Sequence, residues 1–203
     1  MKRRTLDLIF AVGGLLVALL ILVLGLVLQN QANFAESYVH DQLGQQKITF
    51  TPANFLKADE NNPCLKKYAG KPLVTGKQAE CYANHYIGVH VMLINDGKTY
   101  SETSSDARTL STKLAAMPDQ NSAAAKKLAT QVTALEGKAT TLFQGETLRG
   151  LLLTSYGFSI FGDRAQQAAD VCFALALVLF LAAIAGFFHA ATKKADHVIM
   201  SES

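Results

Sequence analysis

Two apolar stretches decide the fold of this chain: LIFAVGGLLVALLILVLGLVL at residues 8–28 and VCFALALVLFLAAIAGFFHAA at residues 171–191. Neither stretch contains Asp, Glu, Lys or Arg. A helix that rises about 1.5 Å per residue needs about 20 residues to cross the roughly 30 Å hydrocarbon core of a bilayer. Either stretch meets that length, so the sequence predicts two transmembrane helices.

Basic residues lie next to each stretch, on the side nearer to the end of the chain. Lys2, Arg3 and Arg4 precede the first, and Lys193 and Lys194 follow the second. Because such residues favour the cytoplasmic side of a membrane, we expect a plasma-membrane protein with both termini in the cytoplasm. The predicted organisation is a cytoplasmic N-terminus (1–7), a span (8–28), an extracytoplasmic domain (29–170), a second span (171–191) and a cytoplasmic tail (192–203).

The first stretch is expected to stay in the protein as an anchor. The apolar region of a cleaved signal peptide usually has about 7–15 residues and ends at a small-x-small site. The stretch from Leu8 to Leu28 is longer than that, and the following QNQANFA (29–35) offers no good cleavage site.

The charge balance excludes a nucleic-acid partner. Five of the 19 Lys and Arg residues flank the spans, and the predicted outer segment holds the other 14 against 13 Asp and Glu. A nearly neutral domain outside the cell carries no basic patch for nucleic acid. The expected partners are membrane lipid and another protein of the membrane or envelope.

Two of the three cysteines predict a disulfide. Cys64 and Cys81 lie 17 positions apart in the outer segment, in a compartment where disulfides persist. Two buried free thiols are the alternative. Cys172 lies just inside the second span and is read as a small packing residue.

Most of the outer segment has helical patterns. The first span is expected to continue to about Gln42, Thr51-Pro52 is a helix-start signal, and Thr75 with Gln78 fits a capping box for a helix to Ile94. Lys47–Phe50 alternates as a strand does but is too short to form a sheet. The predicted fold class is all-α, a transmembrane helical hairpin with an extracytoplasmic helical bundle.

Later helices are also predicted. Ser104 or Ser105 can cap a helix to about Met117, and residues 118–122 form a turn. Spacings of three and four then form a stripe typical of a bundle helix. Its members are Ala125, Leu128, Val132, Leu135, Ala139 and Leu142.

A third apolar stretch, residues 150–162, is too short to span a bilayer. Its rings suit a membrane interface, so it is either an interfacial turn or the last core helix of the domain. Glu146 and Arg149 just before it are three apart and can pair on a helix surface. The candidate interface residues are Glu146, Arg149, Tyr156, Phe158 and Phe161.

Small residues stand at matched depths in the two spans, which predicts that the spans pack against each other. Helices in lipid associate where small residues let their backbones approach, since apolar side chains gain nothing there by leaving water. Ordinary use of Gly and Ala in membrane helices is the alternative. The predicted packing residues are Gly14, Ala18, Gly25, Ala174, Ala182 and Gly186.

Ring residues concentrate on the predicted Cys81 helix. Tyr82, His85, Tyr86 and His90 could line a small-molecule pocket with Tyr68 or Tyr100, although packing is the commoner use of such rings. In an α-helix His85 and His90 would point about 140° apart, unlike the pair of H-E-x-x-H. We expect no metal, no cofactor and no catalytic residues.

Four segments carry a resemblance to a known family: KYAGK (67–71), ANHYIGVH (83–90), GKTYSE (97–102) and LFQGETLRGLLL (142–153). With them the chain resembles small actinobacterial membrane proteins that share the two-span layout. Some are labelled as the small subunit of an aromatic ring-opening dioxygenase. In extradiol enzymes of that type the iron ligands belong to the large subunit, so the resemblance assigns no catalytic residue here. It implies an actinobacterial, mycolic-acid type of envelope.

Three functions follow as hypotheses. The first is a non-enzymatic accessory or scaffold subunit of a membrane or envelope complex. The second is an extracytoplasmic ligand-binding or sensing module, which would need a partner to signal because only the short tail 192–203 follows the second span. The third, from the resemblance alone, is a ring-opening dioxygenase small-subunit-like protein.

Overall fold

The computed structural model describes residues 3–192, which are mainly helical and contain no β-strand. The predicted all-α class is confirmed. Lys2, Lys193 and Lys194 lie outside the described residues. The elements are α1 (Arg3–Gln45), a 3-10 turn (Ala53–Phe55), α2 (Pro63–Tyr68), α3 (Gly76–Tyr82), a π-helical segment (Ala83–Ile87), α4 (Gly88–Ile94), α5 (Tyr100–Ala115) and α6 (Ala123–Thr192).

The chain forms two compact units. The first, the paired-helix unit, contains residues up to Ser37 and from Ile160 onward. The second, the stapled unit, is Tyr38–Ser159. It is shorter than the predicted outer segment, because residues 29–37 and 160–170 belong with the apolar helices. Both α1 and α6 are long enough, and contain a stretch apolar enough, to cross a membrane.

In the paired-helix unit, α1 and α6 are antiparallel and very close. A Cβ atom added at Gly25 would lie 2.7 Å from the ring of Phe173, and one added at Gly186 would lie 3.2 Å from the Cβ of Ala11. At the other end of the pair, a Cβ at Gly162 would lie 2.9 Å from that of Ala35. Larger residues at these glycines would push the helices apart.

The contact between α1 and α6 repeats every seven residues. A sustained seven-residue repeat keeps one seam of each helix facing its partner. Alanine or glycine occupies the buried position in each repeat, and the ring of Phe173 adds a contact at Gly25. The repeat consists of Ala11, Ala18, Gly25 and Ala32 on α1 and Gly162, Ala169, Ala176, Ala183 and Ala190 on α6.

This seam corrects part of the predicted packing face. Ala18 and Gly25 are buried, and Gly186 lies against Ala11. Ala174 and Ala182 are exposed, while their neighbours in the repeat, Ala176 and Ala183, are buried. Gly14 has no atom within 4 Å of an added Cβ. Similar depth does not fix the direction in which a helical residue points, so the depth match did not identify the buried face of α6.

Polar side chains join the two helices near each end of the apolar seam. The Nδ1 atom of His189 lies 3.0 Å from the Oδ2 atom of Asp7. Toward the other end, the amide of Gln29 donates to the side-chain oxygen of Gln166 at 3.0 Å. These pairs add hydrogen bonds to an interface that otherwise consists of small apolar groups.

The stapled unit has its own core. Phe50, Leu65, Leu73 and Leu142 are its most deeply buried large side chains. Cys64 of α2 and Cys81 of α3 form the predicted disulfide, with their Cα atoms 6.0 Å apart. Closing a loop of this size stabilises a fold by about 3 kcal/mol on the chain-entropy account. Residues 47–50 form only an isolated bridge, Thr49 to Pro72.

Capping residues define where the short helices begin. Thr75 and Gln78 form the predicted capping box at α3. A second box, Thr99 with Glu102, starts α5, so the predicted start at Ser104 or Ser105 was wrong. The amide of Thr99 donates to the carboxylate of Glu102 at 2.8 Å, which lowers the pKa of Glu102.

Two further predictions concern residues 51–52 and 150–162. Thr51-Pro52 leads only to the 3-10 turn, and the helix begins later, at Pro63, with Asn62 as its capping residue. Residues 150–162 form no interfacial turn, because α6 is continuous from Ala123 to Thr192. Leu152 is buried in the core cluster, as expected of a core helix.

α5 is joined to α6 and to the end of α4 by a buried polar cluster. Asn95 is buried; its amide donates to Thr103 at 3.0 Å, and its oxygen accepts from the ammonium of Lys138 at 2.9 Å. The predicted stripe of α6 faces inward here, with Val132 and Ala139 buried.

The seven-residue seam gives a direct test. Ala183→Leu should destabilise the paired helices by about 1–3 kcal/mol, because the larger side chain has no space at the buried contact. Ala182→Leu, one residue away on the exposed side, should change stability by less than about 0.5 kcal/mol. SDS-induced unfolding of the full chain, followed by circular dichroism, measures both. Equal effects of the two variants would contradict the assignment of the seam.

Candidate functional site

The candidate site is built on a π-helical segment. Between α3 and α4, residues Ala83–Ile87 are wound in a π-helix, and the amide of Gly88 donates to the carbonyl of Ala83. Because a π-turn bonds residue i to i+5, side chains five positions apart come to one side. His85 and His90 therefore both contact the segment Glu60–Asn62. The divergence of about 140° that an α-helix would give was wrong here.

Three of the four predicted pocket residues, Tyr82, Tyr86 and His90, pack on one another, whereas His85 contacts Asn62. Tyr82 and Tyr86 stack with ring centroids 4.6 Å apart, and Tyr86 lies 4.5 Å from the ring of His90. Phe50 continues the row against Tyr82 at 5.3 Å, edge to face. The row is a packed arrangement of rings.

Tyr68 extends the row, whereas Tyr100 does not. The ring of Tyr68 lies 5.5 Å from that of Phe50. Tyr100 packs against Phe143 of α6 at 5.4 Å, away from these rings. The suggested addition of Tyr68 is therefore consistent with the structure, and that of Tyr100 is wrong.

A buried carboxylate lies at one end of the row. Only 3% of the Glu60 side chain is exposed, and its Oε1 atom lies 3.2 Å from Nε2 of His90. Its other oxygen accepts the amide of Lys57 at 3.2 Å. The Nδ1 atom of His90 lies 2.7 Å from the carbonyl oxygen of Tyr86. A buried charge requires partners of this kind.

His85 is held by Asn62, two residues after Glu60. The amide nitrogen of Asn62 lies 3.1 Å from Nδ1 of His85. The side-chain oxygen of Asn62 accepts the backbone amide of Cys64 at 2.8 Å, which caps α2 and fixes the amide's orientation. The disulfide thus stands next to the residue that orients His85.

The surroundings change the pKa of the phenol of Tyr82. Burial, with smaller contributions from Tyr86 and Glu60, raises the pKa of Tyr82 to about 12. Tyr82 therefore remains a neutral hydrogen-bonding group at any physiological pH.

Two grooves border other faces of the stapled unit. One, of about 420 Å³, lies between α4 and α6 and includes Met92, Leu93, Glu146 and Arg149 in its lining. The second, of about 410 Å³, lies between α5 and α6 and includes Tyr100, Arg108, Glu136 and Phe143. The four predicted pocket residues line neither of these two grooves.

The predicted interface residues are distributed over both units. Glu146 and Arg149 form the expected pair, with Nη1 of Arg149 3.2 Å from Oε2 of Glu146. The Nε atom of Arg149 is buried without a hydrogen-bond partner. Phe158 packs edge to face against Tyr38 at 5.7 Å, and Tyr156 is half-buried. Phe161 belongs to the paired-helix unit and is 75% exposed.

Within residues 3–192, no group of three or more His, Cys, Asp or Glu side chains is arranged to hold a metal ion. What the arrangement offers chemically is hydrogen bonding and proton exchange at His85 and His90. Sequence reasoning found the histidines but missed Glu60 and Asn62. The one signal for Asn62 was its place before Pro63, as a helix cap before a first-turn proline.

Comparison with known proteins returned no similarity to any family model, curated protein or solved structure. The resemblance to actinobacterial two-span proteins therefore stays a prediction from the sequence. The function must be inferred from the described geometry alone.

The pKa of Tyr82 gives a test of the ring row. A phenol that loses its proton only near pH 12 in the folded state, against 10.0 ordinarily, contributes stability below pH 10. That contribution is lost as the pH rises from 10 toward 12. Phenolate absorbance should show one late-titrating tyrosine that Tyr82→Phe removes, and Tyr100→Phe is the matched control. Removal of the late titration by Tyr100→Phe instead would contradict the assignment.

Proposed function

We propose that this chain is a non-enzymatic accessory subunit that is held in the plasma membrane by two spans. In this proposal α1 and α6 form a transmembrane hairpin, both termini lie in the cytoplasm and the stapled unit lies outside. The stapled unit docks on the outer part of another membrane or envelope protein.

The polar pairs of the paired-helix unit support the transmembrane part of the proposal. Asp7 and Gln29 mark the two ends of the apolar seam on α1, and His189 and Gln166 mark them on α6. At about 1.5 Å per residue, the two ends are about 33–35 Å apart along either helix, close to the thickness of a hydrocarbon core. Between the pairs, leucines, valines and phenylalanines face outward, as lipid favours and water does not.

The orientation is supported by the disulfide and by the flanking charges. Cys64 and Cys81 are oxidised, which suits an extracytoplasmic compartment. The basic residues in the first four positions and at Lys193 and Lys194 suit the cytoplasmic side. The two arguments are independent of each other and favour the same orientation.

The single observation that carries the docking role is the groove between α4 and α6. Met92 and Leu93 at its edge are 61% and 65% exposed, although they are adjacent large apolar residues of the stapled unit. The Glu146–Arg149 pair borders them. An apolar centre with a polar rim is the usual composition of a protein interface. We propose that an apolar side chain from a partner's outer segment occupies this groove.

The ligand-binding alternative has one observation in its favour. The groove between α5 and α6 combines two exposed rings, Tyr100 and Phe143, with the guanidinium of Arg108. Such a set suits an aromatic or acidic small molecule. Native mass spectrometry of the purified chain separates the two functions, since a retained small molecule supports binding and a stoichiometric protein supports docking.

The membrane arrangement is tested by thiol labelling in a Cys172→Ser background. Ser122→Cys should react with a membrane-impermeant maleimide in intact cells, because the stapled unit is outside in the proposal. Thr5→Cys should react only after the membrane is opened. The reverse order would place the stapled unit in the cytoplasm and overturn the orientation.

The docking surface is tested by photocrosslinking in membranes. A benzophenone amino acid at position 93 should give one discrete adduct, while the same residue at the exposed control position Gln131 should give none. Leu93→Asp should lower recovery of the adduct partner by about 10–100-fold, since burial of one leucine is worth about 1.5–3 kcal/mol. Equal adducts from both positions, or no effect of Leu93→Asp, would overturn the proposed groove.

A further inference from the structure

The histidines at the π-helical segment have opposite requirements for protons. His90 faces two oxygens. The carbonyl oxygen of Tyr86 only accepts hydrogen bonds, so Nδ1 of His90 at 2.7 Å carries a proton. An ionised carboxylate also only accepts, so the contact of Nε2 with Glu60 at 3.2 Å needs one more proton, on either His90 or Glu60.

His85, in contrast, needs an unprotonated nitrogen at its contact. Because the oxygen of Asn62 accepts the amide of Cys64, the amide nitrogen of Asn62 is the atom that faces Nδ1 of His85. That nitrogen is a donor, so Nδ1 of His85 must be unprotonated to accept from it. A second proton on His85 breaks this contact, whereas loss of the shared proton breaks the contact between His90 and Glu60.

Both contacts hold the same short segment. Glu60 and Asn62 end the stretch 51–62, which is non-helical apart from the 3-10 turn. Phe50 is buried before it and Cys64 is oxidised after it, so the stretch is fixed at its ends and held in between by the histidines. The π-turn is what places His85 and His90 over Glu60 and Asn62 together.

We propose that Glu60, Asn62, His85 and His90 form a proton-dependent latch that holds the stretch 51–62 tightest at intermediate pH. At low pH His85 gains a proton and releases Asn62. At high pH the shared proton is lost, and a buried carboxylate then faces the lone pair of His90, which releases Glu60. The latch is independent of the proposed docking groove.

The groups that surround the latch on neighbouring elements are a phenol, a backbone amide and a guanidinium. The phenol of Tyr82 on α3 interacts with Glu60 and with Tyr86, and burial raises the pKa of Tyr82 to about 12. Within the stretch 51–62 itself, the backbone amide of Lys57 donates to the carboxylate of Glu60. From α6, the guanidinium of Arg149 approaches the backbone at Gly88. Across residues 3–192 the ion pair of Glu60 is the one with His90.

The test is amide hydrogen exchange of residues 51–62, measured by mass spectrometry on the full chain in nanodiscs from pH 5 to 9 and corrected for intrinsic rates. Wild type should show a minimum at intermediate pH, with exchange on the order of tenfold faster at both extremes, as expected for loss of one hydrogen bond to a charged or buried group. A profile without a minimum would overturn the latch.

Two conservative variants separate the acid rise from the alkaline rise of the exchange profile. In Glu60→Gln the amide can donate to neutral His90, so the alkaline rise should disappear. In Asn62→Asp the carboxylate still caps Cys64 and accepts from protonated His85, so the acid rise should disappear. Each variant retains the other limb and is therefore the control for its partner. Wild-type profiles in both variants would show that these contacts do not hold the stretch.

A spectroscopic measurement supplements the exchange data. Nitrogen-15 shifts of the histidines at the pH of the minimum should show an unprotonated Nδ1 in His85 and a protonated Nδ1 in His90. They should also show a shared proton at Nε2 of His90. A His90 that is protonated only at Nδ1, beside an ionised Glu60, would contradict the latch even if the exchange profile had a minimum.

Discussion

Close approach of α1 and α6 is the constraint on which the paired-helix unit depends. In the proposed transmembrane arrangement, association gains nothing from removing apolar side chains from water, so the favourable terms are dispersion between closely packed groups and the hydrogen bonds of the polar pairs. Alanine or glycine at the buried position of each repeat, from Ala11 to Ala32 and from Gly162 to Ala190, makes that approach possible. The polar pairs then fix which end of one helix meets which end of the other.

The stapled unit is stabilised differently, since it consists largely of short helices that must be held together. α2, α3 and α4 have 6, 7 and 7 residues, and isolated helices of that length are not stable in water. Their stability comes from the capping residues, the disulfide between Cys64 and Cys81, and packing around Phe50 and Leu142. The buried polar contacts of Glu60 and Asn95 add specificity to that packing.

Much of this was predictable where a local pattern carries the information. Hydropathy predicted the apolar helices, and compartment chemistry predicted the disulfide. Thr75 with Gln78 predicted the start of α3, and the same pattern at Thr99 and Glu102 was present but overlooked. Of the predicted span-packing residues, Ala18 and Gly25 are buried and Ala174 and Ala182 are exposed, because depth and three-four spacing do not fix which face of α6 meets α1. The π-turn could not be predicted, since Ala83–Ile87 has no local signal that distinguishes it from an α-helix. Glu60 and its contact with His90 depend on that turn and stayed hidden with it.

The alanine seam also has a meaning for transport. Between Ala11 and Gly25 the buried positions of the seam are alanine and glycine, so this part of the contact offers water and ions no polar side chain. In the proposed topology the polar pairs near the two ends, Asp7 with His189 and Gln29 with Gln166, are separated by a stretch whose buried positions are alanine and glycine. In that topology a single copy would offer ions no polar path through the bilayer, and conduction by any complex that contains it would have to run along surfaces that other subunits supply.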